Sequence, residues 1–380
     1  MKLFNVRKKE IVLFYKYLSD LVMYYSYLRE TNKLMKINHI SNVPMPGEEE
    51  WKSKWKKLFR FVNEKDYRLF YGYFDSLKDI VPESALHAGI ERILNPFRYR
   101  HYYSDKNIFD LLFSKGALPL TIIRSMRNID SFLDIDYKPI QDPFKLMWSF
   151  DKIVVKPSVD SDSGKGVELL LRCEDGYKIL SSGEMFTLQW LKEKYGTDFI
   201  MQECLEQSSY MAQFNKTSVN TIRICVYRSV VDGTSHVTSA VLRIGKDGSF
   251  VDNGHAGGNF VGINKNGQLN KYVCNQYGQK NTCFNGIDFS STLYEIPEWE
   301  RIIAFAETVG NSMPHHHLLA LDVMLDGMDT PRLIEVNTYG FSIWLFLFSG
   351  LSVWGEYTDE IMEYCIQRKN EEFYMKSFLS

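Results

Sequence analysis

The chain has 380 residues, 45% hydrophobic and 24% charged, which allows two or three domains around a sizeable core. A formal net charge of -2 argues against a chain built as a whole to bind nucleic acid. Its six cysteines show no C-x-x-C spacing, which sets aside a structural zinc module and suggests a reducing compartment.

The charge is uneven. Residues 1–150 carry 25 Lys/Arg against 18 Asp/Glu, or +7, and residues 151–380 carry 20 against 29, or -9. The basic part reads as a solvated helical surface, or as a face for an anionic partner such as a membrane or a sugar nucleotide. The opening stretch has helical periodicity over residues 1–38, with Phe14, Tyr17, Leu18, Leu21, Tyr24 and Leu28 among its apolar positions. Lys16 and Asp20 interrupt it and no small-residue cleavage site follows, so it does not read as a signal peptide. No run reaches the roughly 18 apolar residues of a spanning helix. A cytoplasmic protein is expected, with the N-terminal helices packed on the rest or touching a membrane or a glycosyltransferase.

Helices are predicted at 48–62, at 82–94 behind Pro82, and at 104–115 with Ser104 as N-cap and Gly116 as the stop. Beyond residue 100 strands dominate: 152–157, 166–172, 199–203, 219–229, 236–244, 318–325 and 332–337. Helices at 184–194, 295–310 and 355–369 fall between or after them. Turn signals "GKDG" (245–248) and "NKNG" (264–267) suit hairpins. The pattern is α+β with mostly antiparallel sheets, preceded by a helical region. The apolar run "GFSIWLFLFSGLSVWGE" (340–356) reads as core or subunit contact, or as an acceptor pocket.

Chemistry enters where polar groups interrupt apolar strands. In "PRLIEVN", Leu333, Glu335 and Asn337 fall on one face of a regular strand, with Ile334 and Val336 on the other. Asp322 sits in the preceding strand "LLALDVML", and a turn centred near residues 328–329 pairs it with Glu335. Two carboxylates facing each other repel, and burying them unpaired costs several kcal/mol. A divalent cation removes the conflict, and Asp322, Glu335 and Asn337 offer hard oxygens, which suit Mg²⁺. A metal seat of that kind implies phosphates nearby. In "IVVKPSVDSDSGKGVELL" (153–170), Lys156 ends a strand, and Gly164 and Gly166 let backbone N–H groups turn inward, with Lys165 adding charge; a plain glycine hairpin is the alternative. Gln202 and Glu203 end the strand "FIMQE" as an adenine edge would require. Arg223, amid Ile222, Ile224 and Val226, needs an anion: phosphate, carboxylate, or an internal salt bridge. In "NGHAGGNF", Asn253, His255, Gly257 and Gly258 suit the acceptor side, or form a hairpin tip without a role. Three consecutive histidines, 315–317, cannot all point one way on a strand, which disfavours a metal reading.

The ordered set "SDKN", "VVKP" with its glycine loop, "MQECLE", "NTIRI" and "LDVML…LIEVN" resembles the ATP-grasp superfamily. "TSVNTIRI" with "LRIGKDGSFVDNGHAGGNFVGIN" resembles more closely the sugar-transfer-associated ATP-grasp family of bacterial polysaccharide gene clusters. The resemblance covers about residues 100–350. It implies an ATP-grasp fold, two α+β subdomains clasping ATP, divided as a helical region 1–100, a lid part 101–205 and a C-terminal part 206–380. It implies that Lys106 and Lys156 hold the α- and β-phosphates and that loop 161–166 (Ser161, Ser163, Gly164, Lys165, Gly166) closes over the β/γ end. Gln202, Glu203 and the backbone near Leu205 would meet adenine. Asp322, Glu335 and Asn337 would bind Mg²⁺, and Arg223 would neutralise the transferring phosphoryl group. The implied activity is an ATP-dependent carboxylate–amine ligase joining an amine or amino acid to a sugar acid of a surface polysaccharide or capsule precursor, with no nucleic acid involved. A phosphotransferase with His255 as base, or a non-catalytic nucleotide-bound assembly factor, remain alternatives. The turn from Asp326 to Pro331 is longer than the family's usual Gly-Pro link, and "SSYMAQFN" shows no clear ribose-binding acid.

Overall fold

The computed structural model describes residues 2–74, 80–126, 131–159, 166–248, 257–371 and 374–375, without the side chains of residues 2–9 and 101. It opens with a 36-residue helix, Lys2–Ile37, about 54 Å long at the usual rise. Shorter helices Glu48–Lys56 and Glu64–Phe70 follow, then a segment in which a π-turn, Leu86–Ile90, separates Glu83–Ala85 from Glu91–Leu94. The 104–115 prediction is shortened to a 3-10 turn, Lys106–Ile108, and one α-turn, Phe109–Leu112. Asp105 caps it instead of Ser104, accepting from the Asn107 amide at 2.9 Å.

A five-stranded sheet has the order β1-β5-β2-β3-β4, with β1 Thr121–Ser125, β2 Lys152–Pro157, β3 Glu168–Cys173, β4 Gly176–Ile179 and β5 Phe199–Glu203. A seven-stranded sheet runs β10-β9-β8-β7-β6-β13-β14. Its strands are β6 Thr221–Arg228, β7 Ser235–Ile244, β8 Asn259–Ile263, β9 Val273–Cys274, β10 Lys280–Asn281, β13 Leu318–Leu325 and β14 Pro331–Asn337; β11 Cys283–Phe284 and β12 Ile287–Asp288 form a separate hairpin. All described pairings between these strands are antiparallel. β1, β4 and β8 were not among the predicted strands. They are four or five residues long, too short for a clear alternation.

The seven-stranded sheet is covered on both faces. Helix Trp299–Asn311 lays Trp299, Ile302, Ala306 and Val309 against Ile222, Ile224, Leu319 and Leu321, at the spacing of one helical face. The other face carries Cys225, Tyr227, Val241, Phe260 and Ala320 into one core with Trp55, Phe59, Leu86 and Leu94 of the N-terminal helices. The apolar run at 340–356 belongs to this core: Phe341, Ile343, Phe346, Phe348 and Trp354 are all buried there. Gly350 closes the seam. Its φ is +70° and an added Cβ would collide with the Tyr73 carbonyl oxygen. Gly350→Ala is expected to cost about 1–3 kcal/mol, read as a lower urea midpoint at unchanged slope.

Candidate active site

The two sheets meet across a cleft, and alternation decides which side chains face it. In β2, Ile153 and Val155 enter the core of the five-stranded sheet, so Lys156 points the other way, into the cleft. In β5, Phe199 and Met201 are core, so Gln202 shares the cleft face with Lys156, whereas Glu203 falls on the opposite face. Lys106 reaches the cleft from its short turn. That turn is held by its own amide on the Ser158 carbonyl at 2.8 Å and by Asn107 Nδ2 on the Ser125 carbonyl at 2.8 Å. Beneath it Arg124, fully buried, pairs with Asp110 and donates to the Asn107 carbonyl.

From the seven-stranded sheet comes a polar row. Asp322 on β13 stands opposite Glu335 on β14, the pair expected, and opposite Arg223 on β6. The row does not place two bare carboxylates face to face. Arg223 grips Asp322 with two bonds, Nε to Oδ1 at 2.5 Å and Nη2 to Oδ2 at 3.0 Å, and Arg243 on β7 adds Nη1 to Oδ2 at 3.1 Å. Burial pushes the Asp322 carboxyl up, but the two guanidinium groups outweigh it and hold the acid below its usual range. Arg243 was missed from the sequence, although it interrupts "VLRI" as Arg223 interrupts "TIRI".

The expected face of β14 needs a correction. A bulge shifts the register between Asp322 and Val323, so that Glu335 opposes Asp322 while Leu333 opposes Val323. Ile334 is the extra residue. Leu333 therefore joins Val336 in the core under the sheet, and Glu335 and Asn337 alone face the cleft.

Across the cleft, Lys106 Nζ lies 3.2 Å from Glu335 Oε1, and Lys156 Nζ lies 3.5 Å from the Ile334 carbonyl. Desolvation, with the Lys106 ammonium adding to it, pushes the Lys156 amine down to about 8, and Glu335 offsets only part. Four cations (Lys106, Lys156, Arg223, Arg243) thus surround two carboxylates, an excess of positive charge that fits a polyphosphate. The oxygen set also fits Mg²⁺: Asn337 donates Nδ2 to the Ala320 carbonyl at 3.1 Å, which leaves its oxygen as the other end of the amide, next to Glu335 on one face.

The remaining expected residues lie further out. Gln202 donates to the Pro119 carbonyl at 3.2 Å, and Glu203 Oε1 accepts from the Leu120 amide at 2.8 Å, so both pin the chain entering β1. Leu205 follows the end of β5, half buried. Gly166 turns with φ +75° and its carbonyl accepts from the Tyr195 hydroxyl at 2.7 Å. Ser161, Ser163, Gly164 and Lys165 lie outside the described residues, as do Asn253 and His255. Gly257 has φ +90° and Gly258 is buried. The three histidines diverge: His315 stacks on Tyr99 at 4.0 Å, His316 is buried, and His317 Nδ1 meets the Arg228 carbonyl at 2.8 Å.

Residues 87–355 match the family described as sugar-transfer associated ATP-grasp, a span that holds every cleft residue named above. The chain belongs to the sugar-transfer associated ATP-grasp family. Its fold class is the expected one, α+β with antiparallel sheets and a helical N-terminal region. No curated protein matches it in sequence. Among solved structures, it is similar to the D-alanine–D-alanine ligase of Coxiella burnetii at 11% identity and TM-score 0.38, covering 71% of this chain and 59% of that one. It is similar to an L-amino acid ligase of Bacillus licheniformis at 13% identity and TM-score 0.36, covering 73% and 50%. A third is the biotin carboxylase domain of the Hydrogenobacter thermophilus 2-oxoglutarate carboxylase, solved with MgADP, ADP and bicarbonate, at 10% identity and TM-score 0.41, covering 74% and 48%. Likenesses of this size carry nothing about the reaction of the present ATP-grasp chain. Among its described residues no helix is long and apolar enough to cross a membrane.

Proposed function

We propose that this ATP-grasp protein is an ATP-dependent carboxylate–amine ligase that forms an amide on a surface-polysaccharide precursor, from a small sugar- or amino-acid-derived carboxylate and an amine. The observation that carries the reading is the Lys106–Glu335 contact. It brings a cationic wall of one sheet onto the carboxylate–amide pair of the other. Lys106 and Lys156 bind the α- and β-phosphates of ATP, with the 161–166 loop over the β/γ end and Gln202 and the backbone near Leu205 at the base, while Glu203, on the opposite face, acts by pinning the chain entering β1. Asp322, Glu335 and Asn337 hold Mg²⁺, which when bound supplies Lewis-acid charge at the phosphate oxygens. With Mg²⁺ in place, Glu335 would face the metal as well as Lys106, its present partner. Arg223, clamped on Asp322 and flanked by Arg243, presents fixed positive charge where the γ-phosphoryl group moves to the substrate carboxylate. The amine then attacks the acyl carbon, the C–O bond to phosphate breaks, phosphate departs, and the amine proton passes to solvent. Gly257 and Gly258, with Asn253 and His255, are assigned to the acceptor side.

Hydroxylamine tests the reaction. A ligase supplied with ATP and its acid accumulates a hydroxamate, and a phosphotransferase does not. ATP consumption without hydroxamate from any carboxylate would overturn the ligase reading.

Lys156 makes a second expectation. In the free protein its amine is half neutral near pH 8, and phosphate beside it favours the ammonium. Nucleotide binding should therefore take up a proton, and affinity should fall as pH rises above 8, by up to about tenfold per unit. Calorimetry in two buffers of different ionisation enthalpy counts that proton; Lys156→Met should abolish the uptake.

A further inference from the structure

A cavity of about 390 Å³ lies away from the cleft residues, between the N-terminal helix and the start of β13. The helix supplies Tyr15, Ser19 and Val22; the segment after Leu94 supplies Phe97 and Arg100; Arg92 and His316 complete the wall with Thr338 and Tyr339. Among the described residues the lining holds two guanidinium groups and no acid. Arg100 lies over the Tyr339 ring at 4.5 Å, and Arg92 donates to Ser19 Oγ at 3.1 Å. Asp20 sits next in the helix, paired with Lys16 at 2.7 Å and also feeling the Arg92 charge.

His316 is the anomaly. It is 1% exposed, and neither ring nitrogen has a hydrogen-bond partner among the described residues. Burial, with His315 and His317 on either side, pushes it down to about 3, so the ring is neutral and offers one donor and one acceptor. A buried pair of that kind asks for a group able both to give and to accept, and a hydroxyl does both. Aromatic faces on Tyr15, Phe97 and Tyr339 suit a ring body.

We propose that this cavity binds a small ring-bearing, hydroxylated organic anion, a sugar acid or sugar phosphate, with Arg92 and Arg100 on the anionic group and His316 on a hydroxyl. Thr338 and Tyr339 follow directly on β14 after Glu335 and Asn337, which places the ligand just beyond the end of the strand that carries the metal seat. Calling that ligand the acceptor substrate rests on the ligase reading; its binding does not. The N-terminal helix is then a wall of the site.

The test is calorimetric titration of the nucleotide-free full chain with glucuronate, glucose 1-phosphate, glucose and benzoate. Saturable binding of glucuronate or glucose 1-phosphate is expected, with glucose and benzoate at least about tenfold weaker; the stronger of the two anions tells carboxylate from phosphate. Arg100→Ala should weaken binding about tenfold, with partial return in Arg100→Lys. Val22→Trp, at a position 65% exposed, should block the cavity without touching the core. His316→Phe should weaken binding while leaving thermal stability equal or higher, because it removes two unpaired nitrogens. Absence of saturable binding by both anions, or binding indifferent to Arg100→Ala and Val22→Trp, overturns the proposal. Mg²⁺-ATP titration of the same variants should be unchanged, so a failed cavity and a failed nucleotide site give different results.

Discussion

Replacing Glu335 with alanine is expected to move ATP binding in opposite directions with and without magnesium. In the wild type, Mg²⁺-ATP at about a hundred times its dissociation constant should stabilise the fold by about 2.7 kcal/mol, a rise of several degrees in midpoint. Glu335→Ala should lose the magnesium-dependent part, because the carboxylate that faces the cleft beside Asn337 is gone. Without metal the sign reverses. Lys106 is released from its carboxylate at 3.2 Å, and four cations then face one remaining acid, so metal-free ATP should bind as well or better. A simple loss of fold lowers both responses together. If the wild type shows no response to ATP in either condition, the cleft is not a nucleotide site.

The second large effect lies one strand away. Arg223→Met leaves Asp322, 4% exposed, with Arg243 as its remaining guanidinium partner among those described. Removing one partner of a buried pair costs about 3–5 kcal/mol, and the value here should fall near the lower end because Arg243 stays. The double variant Arg223→Met/Asp322→Leu should regain part of that loss, while turnover stays absent in both. Acid separates the electrostatic share. Asp322 is held below its unfolded value, so its contribution is fully present above that value and disappears as pH falls through the folded one. The stability gap between wild type and the double variant should therefore narrow in acid. A gap constant with pH would assign the effect to packing instead of charge.

Much of this was legible residue by residue. Strand Leu318–Leu325 coincides with its prediction, and the expected Asp322–Glu335 pairing is found, but through the bulge: beside the turn Leu325 opposes Pro331, a register that unbroken would pair Asp322 with Ile334. Arg223 could be flagged because a lone guanidinium in an apolar strand demands an anion, and Arg243 carried the same signal unread. The partner chosen was an open question: phosphate and Asp322 both satisfy a guanidinium, and only the neighbouring register shows Asp322 in reach. The bulge at Ile334 was illegible, since an apolar residue fits either face and nothing local marks the extra one. Fusion of the N-terminal helices with the 340–356 run into one core depends on contacts some 300 residues apart in sequence, which periodicity does not encode.

That bulge has a consequence for how such chains are compared. The chemistry of β14 hangs on a count of residues as much as on their kinds: in strict alternation the single residue between Leu333 and Glu335 would put both on one face, and the Ile334 bulge is what sends Leu333 to the core and the acid to the cleft. Without Ile334 the two would be neighbours on opposite faces, and alternation alone would keep the seat. A chain one residue shorter here therefore preserves the seat without a bulge, whereas one that keeps the residue and straightens the strand turns either Leu333 out or Glu335 in.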